Sequence, residues 1–354
     1  MLRAPSLRLL PSLGFALAAA AAPAAAQAAP CADLPQPIIY GLGGSATKPL
    51  LGKIAGGLTA AGTLSVVYQA PGACVGVNGL LASTPITGTA SYWDAAGKEQ
   101  SCTLPDAGQV VDFANMGNTA GSCPGVGALP AEVGDFLGPV NAYTFIVPLA
   151  SSQLAISREA AYFAFGFGQL GRAAPWTDDT QIFRRDANSA AQLFVSIATG
   201  VPAEKFKGVD TKTNQGTITA VASASNPEAA IGLVSGEVAD ANRASVRVLA
   251  YQHTGQRCGF LPDSSATAFD KKNVRDGTYH IWAPIHFFAR INPATKKIVN
   301  PSVASFVGLF TGEVTAPPNL NVLEAEIKSG NVPKCAMNVW RESDLGGLTK
   351  YAAP

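Results

Sequence analysis

Short apolar segments that end in polar, glycine-containing loops recur along the first half of the chain. Residues 37–40 are apolar and lead into the loop of residues 41–47, and Pro49 then stands where the first turn of a helix would lie. The apolar residues that follow have helical spacing: Leu50, Leu51, Ile54, Ala55 and Leu58. This pattern predicts a strand, a glycine-rich turn and a helix, the arrangement in which α/β proteins present backbone N–H groups to an anion.

Two further segments repeat the arrangement. Residues 63–68 alternate as a strand does, residues 69–74 form a loop, and residues 76–81 are predicted to be a short helix. Residues 110–114 form a third apolar strand, followed by the polar loop of residues 115–119. Because loops at the carboxyl ends of strands line one crevice in open α/β sheets, we expect these loops to lie together.

The segment of residues 181–194 contains the strongest candidate chemistry. A short apolar strand (residues 181–183) is followed by Arg184 and Arg185, a polar turn and the start of a helix. Three residues of the turn suit the N-cap of that helix: Asp186, Asn188 and Ser189. Free N–H groups and a helix dipole beside guanidinium groups favour an oxyanion. The alternative is a plain strand–loop–helix junction whose arginines pair with surface carboxylates.

Two long apolar runs suggest how the chain is divided. Residues 140–148 and 278–290 are the candidates for strands that cross between lobes. They predict an α/β fold with two lobes and a hinge of two crossing strands. The first lobe comprises residues 29–147 and 278–354, and the second comprises residues 148–277.

The first 28 residues have the features of a secretory signal. Arg3 and Arg8 form a basic region, residues 13–22 are apolar, and cleavage is expected after Ala28, so the protein is predicted to be periplasmic or extracellular. Cys31 follows Pro30 rather than a small residue, which argues against a lipid anchor. The formal net charge of +1 offers no broad basic surface, so nucleic acid is not an expected partner, and any anion must be held by a local site.

The six cysteines have no metal-ligand spacing, and the signal segment indicates an oxidising compartment. Three disulfides are expected, and of the roughly 15 connectivities possible we predict Cys31–Cys74, Cys102–Cys123 and Cys258–Cys335. Residues 89–93, with Cys102 and Cys123 close behind, are predicted to belong to an inserted, disulfide-tied excursion.

Taken in order, four segments resemble the periplasmic phosphate-binding proteins of ABC-type phosphate transporters, which have the type II periplasmic-binding-protein fold. They are GGSA at residues 43–46, YQAPG at residues 68–72, VDFA at residues 111–114 and RDANSAA at residues 185–191. The resemblance implies a monomeric solute-binding protein that captures a small oxyanion, phosphate first, and delivers it to an ABC transporter permease. It implies no enzyme activity, no cofactor and no metal.

The resemblance also implies a set of ligand-binding residues. Arg185 falls on the family's phosphate arginine and Ser189 on its serine, while Arg184 is expected to point elsewhere. The whole implied set is Ser45, Ala46, Thr47, Gly72, Ala73, Asn118, Arg185, Ser189, Ala190 and Ala191. Three departures bring phosphate specificity into question. The family's Gly-Thr pair is replaced by Ala190 and Ala191, its second-loop serine by Ala73 or Cys74, and its aspartate by Gly117 or Asn118.

Two other functions stay open at this point. A divergent two-lobe envelope protein could bind another ligand or partner and have no role in phosphate transport. A secreted hydrolase is disfavoured, because the chain has no GxSxG motif and its three histidines form no metal signature: His253, His280 and His286. His280 and His286 could share a strand face, but both lie in an apolar run and are expected to be structural.

Overall fold

The computed structural model describes residues 28–351 and has a mixed α/β architecture. Its strands are β1 Ile38–Gly43, β2 Ser65–Gln69, β3 Thr89–Trp93, β4 Glu99–Thr103, β5 Phe113–Met116, β6 Val133–Pro148, β7 Ala155–Ser157, β8 Ile182–Arg184, β9 Val209–Asp210, β10 Ile231–Ser235, β11 Val246–Val248, β12 Ala250–Gln252, β13 Trp282–Arg290, β14 Val339–Trp340 and β15 Thr349–Lys350. Its helices are α1 Lys48–Ala60, α2 Ala73–Leu81, α3 Arg158–Phe167, α4 Ala190–Thr199, α5 Asn214–Ala222, α6 Gly236–Ala241, α7 Lys272–Arg275, α8 Pro301–Thr311 and α9 Val322–Lys328.

One sheet of eleven strands organises these elements. Its order is β4-β3-β2-β1-β5-β13-β6-β10-β8-β9, and β11 also pairs with β6. β1 lies between β2 and β5 and is parallel to both, so their carboxyl ends meet at one edge. β10 is likewise parallel to β8, which is parallel to β9. Each half of the sheet therefore has its own set of loops at the carboxyl ends of parallel strands.

The 16-residue strand β6 joins the two halves. Its residues 133–142 pair with β13, whereas residues 143–148 pair with β10 and β11. The predicted fold class, α/β with two lobes connected by long adjacent strands, is confirmed. The assignment of residues 29–147, 148–277 and 278–354 to the two lobes stays a prediction.

Helices α1 and α4 begin where the sequence predicts, whereas α2 begins at Ala73, inside the predicted loop and before the predicted start at residue 76. The five apolar residues that define the stripe of α1 are all buried, and they pack in one core cluster with Phe113 and Phe306. α4 begins after Ser189, whose hydroxyl accepts the N–H of Gln192 at 3.2 Å. Of the three candidate caps in that turn, Ser189 is the one used. α9 is capped in the same way by Asn321.

The third predicted strand is shifted along the chain. β5 begins at Phe113 rather than at residue 110 and extends through Asn115 and Met116, which were expected to lie in a loop. Asp112 lies just before the strand. There its side-chain carboxylate, rather than a backbone carbonyl, accepts the N–H of Tyr40 at 2.8 Å. Asn115 continues the strand because it pairs in register with Gly43.

The prediction of an inserted excursion near residues 89–93 is wrong. That segment is β3, which pairs with β2 and carries β4 at the edge of the main sheet. Strand pairing therefore places it in the core architecture, and Trp93 is buried against α1.

The predicted disulfide pairing is also wrong. The structure contains Cys31–Cys102 and Cys74–Cys123, while Cys258 and Cys335 are free and exposed. The bridge pairing of Pro30 with Thr103 brings Cys31 beside Cys102, with their Cα atoms 4.9 Å apart. Cys74, at the start of α2, is joined to Cys123, which directly follows the short turn of residues 120–122. Each disulfide therefore joins two segments that are remote in sequence but adjacent in the fold.

The predicted signal segment lies in residues 1–27, outside the described residues, apart from Ala28. Between residues 28 and 351, no helix has the length and apolar character needed to span a membrane.

Candidate functional site

A small cavity of about 70 Å³ lies where loops from both halves of the sheet meet. Its walls come from the loops that follow β1, β2, β8 and β9, and so from the carboxyl ends of parallel strands. The lining residues are Gly44, Ser45, Ala46, Ala70, Pro71, Gly72, Ala73, Arg185, Asp186, Ser189, Ala190, Ala191, Lys212, Thr213 and Asn214. The two halves also touch directly here, since the Cys74 amide donates to the Asn188 carbonyl at 3.3 Å.

Eight of the ten residues predicted to bind a ligand line this cavity: Ser45, Ala46, Gly72, Ala73, Arg185, Ser189, Ala190 and Ala191. Arg185 and the loop containing Ser45 come from distant parts of the sequence and meet at the same opening. Their role in binding stays a prediction, but the structure brings them together.

Thr47 and Asn118 lie outside the cavity. The Thr47 hydroxyl is buried, where it donates to the Gly44 carbonyl at 3.0 Å and accepts from the Asn115 amide at 2.9 Å. It therefore supports the loop from behind. The side chain of Asn118 donates to Ser122 at 2.9 Å, away from the lining residues.

Arg185 is the buried cation of the site, with only 5% of its surface exposed. Its Nη1 donates to Asn214 Oδ1 at 2.5 Å, and its Nη2 donates to the Lys212 carbonyl at 3.0 Å. Its Nε is buried and has no partner among the described residues. Desolvation lowers the pKa of Arg185, although a guanidinium stays charged near neutral pH. The side chain is thus fixed by two bonds and keeps a donor unused.

Helix N-termini surround this guanidinium. Ser45 and Ala46 belong to the turn before α1, Gly72 and Ala73 begin α2, Ser189 to Ala191 begin α4, and Thr213 and Asn214 begin α5. Each N-terminus carries about half a positive charge from the aligned peptide dipoles. Four such termini therefore supply positive potential from different directions.

The first turn of α4 offers free donors. The amide of Gln192 bonds to the Ser189 hydroxyl, and the amide of Leu193 bonds to the Ser189 carbonyl. The amides of Ala190 and Ala191 precede them and have no partner among the described residues. Both residues are buried and line the cavity, so bulk water does not satisfy these two N–H groups.

The other charges at the cavity partly cancel. Lys212 forms an ion pair with Asp210 at 2.6 Å. Asp186 is half-buried, and its carboxylate accepts the Asn188 amide at 2.9 Å. Arg184 points elsewhere, as expected: its Nε donates to the Gly208 carbonyl at 3.3 Å, and it does not line the cavity.

The sequence pattern did not indicate three of the lining residues: Lys212, Thr213 and Asn214. They follow β9, which is only two residues long and has no apolar run to mark it as a strand. The available signal was Thr213, a residue type that commonly caps helices, and its hydroxyl indeed accepts the Gly216 amide at 2.9 Å.

None of the three histidines lines this cavity, and His280 does not share a strand face with His286. His280 stacks on His253, with ring centroids 4.5 Å apart, before β13 begins. His286 lies within β13 and contacts the Asp135 carboxylate at 2.8 Å.

A larger, open groove of about 1300 Å³ runs along α8, α9 and the segment near Cys335. Its walls are mainly apolar, and neither Arg185 nor any of the four helix N-termini reaches it. Size alone therefore does not identify the candidate anion site; the convergence of donors does.

No protein-family model matches the chain, and a search of curated proteins finds no match either. Solved structures are similar. A protein assigned as a phosphate ABC transporter substrate-binding protein, with bound phosphate, from Clostridium perfringens has a TM-score of 0.56 and 12% identity, covering 84% of this chain and 99% of that one. An ABC-type phosphate transport receptor from Vibrio cholerae has a TM-score of 0.52 and 13% identity, covering 83% and 99%.

The chain has the two-lobe fold of these substrate-binding proteins. A DING protein has a TM-score of 0.52 and 15% identity, and the match covers 83% of this chain and 90% of the DING protein. Because the coverage of each relative is nearly complete, the substrate-binding fold accounts for both halves of the sheet. At such identities the similarity concerns the fold.

Proposed function

We propose that this protein binds a small oxyanion, with phosphate as the first candidate, in the cavity between its lobes. One observation carries the proposal: a buried guanidinium with an unused Nε and four helix N-termini converge on the same small space. Unpaired buried donors cost free energy unless a partner satisfies them. An oxyanion has several acceptor oxygens and the charge that these groups favour.

The size of the cavity favours a small guest. Its volume is about 70 Å³. Pockets for drug-sized ligands commonly have about 300–1,000 Å³. A compact anion is therefore favoured over a sugar, a peptide or a nucleotide in this arrangement of the lobes.

Asp186 supports phosphate over a fully ionised anion such as sulfate. Asp186 is one of the lining residues, and a carboxylate near the ligand would repel an anion that offers only acceptors. Phosphate retains a proton near neutral pH and can donate it to that carboxylate. Structural neighbours are named for phosphate binding and transport, which agrees with this assignment. Delivery of the anion to an ABC transporter permease, from outside the cytoplasm, completes the proposal.

Isothermal titration calorimetry of the purified protein with phosphate, sulfate and arsenate tests the proposal. Arg185→Gln removes the charge and is expected to weaken phosphate binding by at least about 10- to 150-fold, the equivalent of one charge-assisted hydrogen bond of about 1.5–3 kcal/mol. Arg184→Gln is the matched control, because it removes a neighbouring guanidinium that does not line the cavity. Absence of heat with all three anions would show that the site does not hold oxyanions. Equal losses of phosphate affinity in both variants would show that Arg185 does not bind the anion specifically.

A further inference from the structure

A chain of hydrogen bonds leads from the cavity into the second half of the sheet. Arg185 Nη1 donates to Asn214 Oδ1 at 2.5 Å, Asn214 Nδ2 donates to Ser235 Oγ at 2.8 Å, and Ser235 Oγ donates to Glu237 Oε1 at 2.5 Å. All four side chains are buried, with 5%, 6%, 0% and 6% exposure respectively. We call this chain the Arg185–Glu237 relay.

The direction of the relay is fixed by chemistry. A guanidinium can only donate, so Asn214 must present its oxygen to Arg185 and its amide hydrogens to Ser235. Ser235 then uses its single proton toward Glu237, and Oε1 of Glu237 is held as an acceptor. With Ser235 donating to Oε1, the other oxygen of Glu237, Oε2, is the one free to take up a proton.

Oε2 is poised to hold that proton. It is buried and has no hydrogen-bond partner among the described residues. Burial, the largest cause, raises the pKa of Glu237 to about 7, although hydrogen bonds from Ser235 and Asn141 lower it. Uptake of a proton on Oε2 removes the negative charge that burial disfavours.

Few other charges face Glu237. Asp240 on the same helix raises its pKa, but Asp240 is itself paired with Arg243 and Lys271. Tyr143 from β6 is neutral, since burial holds its pKa well above the ordinary value. Neither β10 nor α5 carries a titratable residue, and the turn at Gly330, which packs against the Glu237 backbone, carries none either. Arg185 is therefore the cation to which Glu237 is connected through hydrogen bonds.

We propose that Glu237 is a positioning residue for Arg185 and that anion binding in the cavity is coupled to uptake of a proton by its carboxyl. This inference rests on the proposed function. When Glu237 is ionised, its negative charge interacts with the Arg185 guanidinium through the relay and weakens the attraction of the guanidinium for a bound anion. A bound anion competes for the same guanidinium and favours protonation of Oε2. By linkage, the anion then binds more tightly when Glu237 is already protonated.

The test compares phosphate affinity of the wild type and Glu237→Gln between pH 5.5 and pH 8.5 by calorimetry. Glutamine mimics the protonated carboxyl and still accepts from Ser235. We expect similar affinities at pH 5.5 and roughly five-fold or more weaker binding by the wild type at pH 8.5, the lower end of usual site-to-site coupling. The titration of phosphate itself affects both proteins equally, so it cancels in the ratio of their two affinities at each pH. Titrations in two buffers of different ionisation enthalpy should also show greater proton uptake by the wild type.

Glu326→Gln is the matched control, because Glu326 is also buried with a pKa near 7 but lies on α9, outside the relay. Its affinity ratio to the wild type should not change with pH. Ser235→Ala, which breaks the relay and keeps the carboxyl, should reduce the pH-dependent difference even if Glu237→Gln fails to fold. A ratio for Glu237→Gln that is constant with pH, while phosphate still binds, would overturn this inference alone. Failure of every oxyanion to bind would overturn the proposed function first.

Discussion

Replacing Ala190 by proline would remove one N–H group from the candidate site and little else. Ala190 is the first residue of α4, a position where proline fits a helix. Ser189 before it has φ −80° and ψ 135°, the extended conformation that a following proline requires. The chain already uses proline this way at Pro301, the first residue of α8.

The expected effects on binding and on stability have opposite signs. The lost N–H has no partner among the described residues, so folding loses no hydrogen bond. Proline restricts the unfolded chain and should leave the free energy of unfolding unchanged or raise it by about 0.4–1 kcal/mol. Phosphate, however, loses a charge-assisted hydrogen bond of about 1.5–3 kcal/mol, which corresponds to about 10- to 150-fold weaker binding.

Calorimetry gives the affinity, and urea unfolding gives the stability. Val322→Pro is the matched control, since Val322 is the first residue of α9 and does not line the cavity. That variant should bind phosphate as the wild type does. If Ala190→Pro binds phosphate with unchanged affinity, the amides at the start of α4 do not hold the anion, and the reasoning from free helix donors fails.

The remaining predictions concern the framework behind the site and are measured by urea unfolding. The double change Cys74→Ser and Cys123→Ser opens a loop with a sequence separation of 49 residues and should lower the free energy of unfolding by about 2–4 kcal/mol; no change would mean that the bond does not form. Gly76→Ala places a Cβ 2.6 Å from the Gly43 Cα and should destabilise by about 1–3 kcal/mol. Gly121→Ala, which meets nothing within 4 Å, should not, and equal effects would refute the packing argument.

The parts of the site that the sequence predicted are those with a local signature. The turn from Arg185 to Ser189 combines a strand end, a cation and a helix cap within a few residues, and each of these features follows from short-range chemistry. The glycine loop before α1 is similar. Such segments keep their local structure when the fold assembles, so their residues were found at the cavity.

Features that depend on distant pairing could not be predicted in the same way. Asn118 was expected in the site, but β5 continues to Met116, and the Tyr143 hydroxyl then binds the Gly117 carbonyl at 2.8 Å, which holds this turn behind the cavity. The disulfides follow contacts between strands and turns that are remote in sequence. Asn214 reaches Arg185 only because the two-residue strand β9 pairs with β8.

A crystal structure of the protein with arsenate would show directly where the anion binds. Arsenate is protonated as phosphate is, and its arsenic atom can be located by anomalous scattering. We expect one arsenic peak in the cavity, with oxygens about 2.7–2.9 Å from Arg185 Nε and from the Ala190 and Ala191 amides. A peak elsewhere, or none at arsenate concentrations that saturate binding in solution, would contradict it.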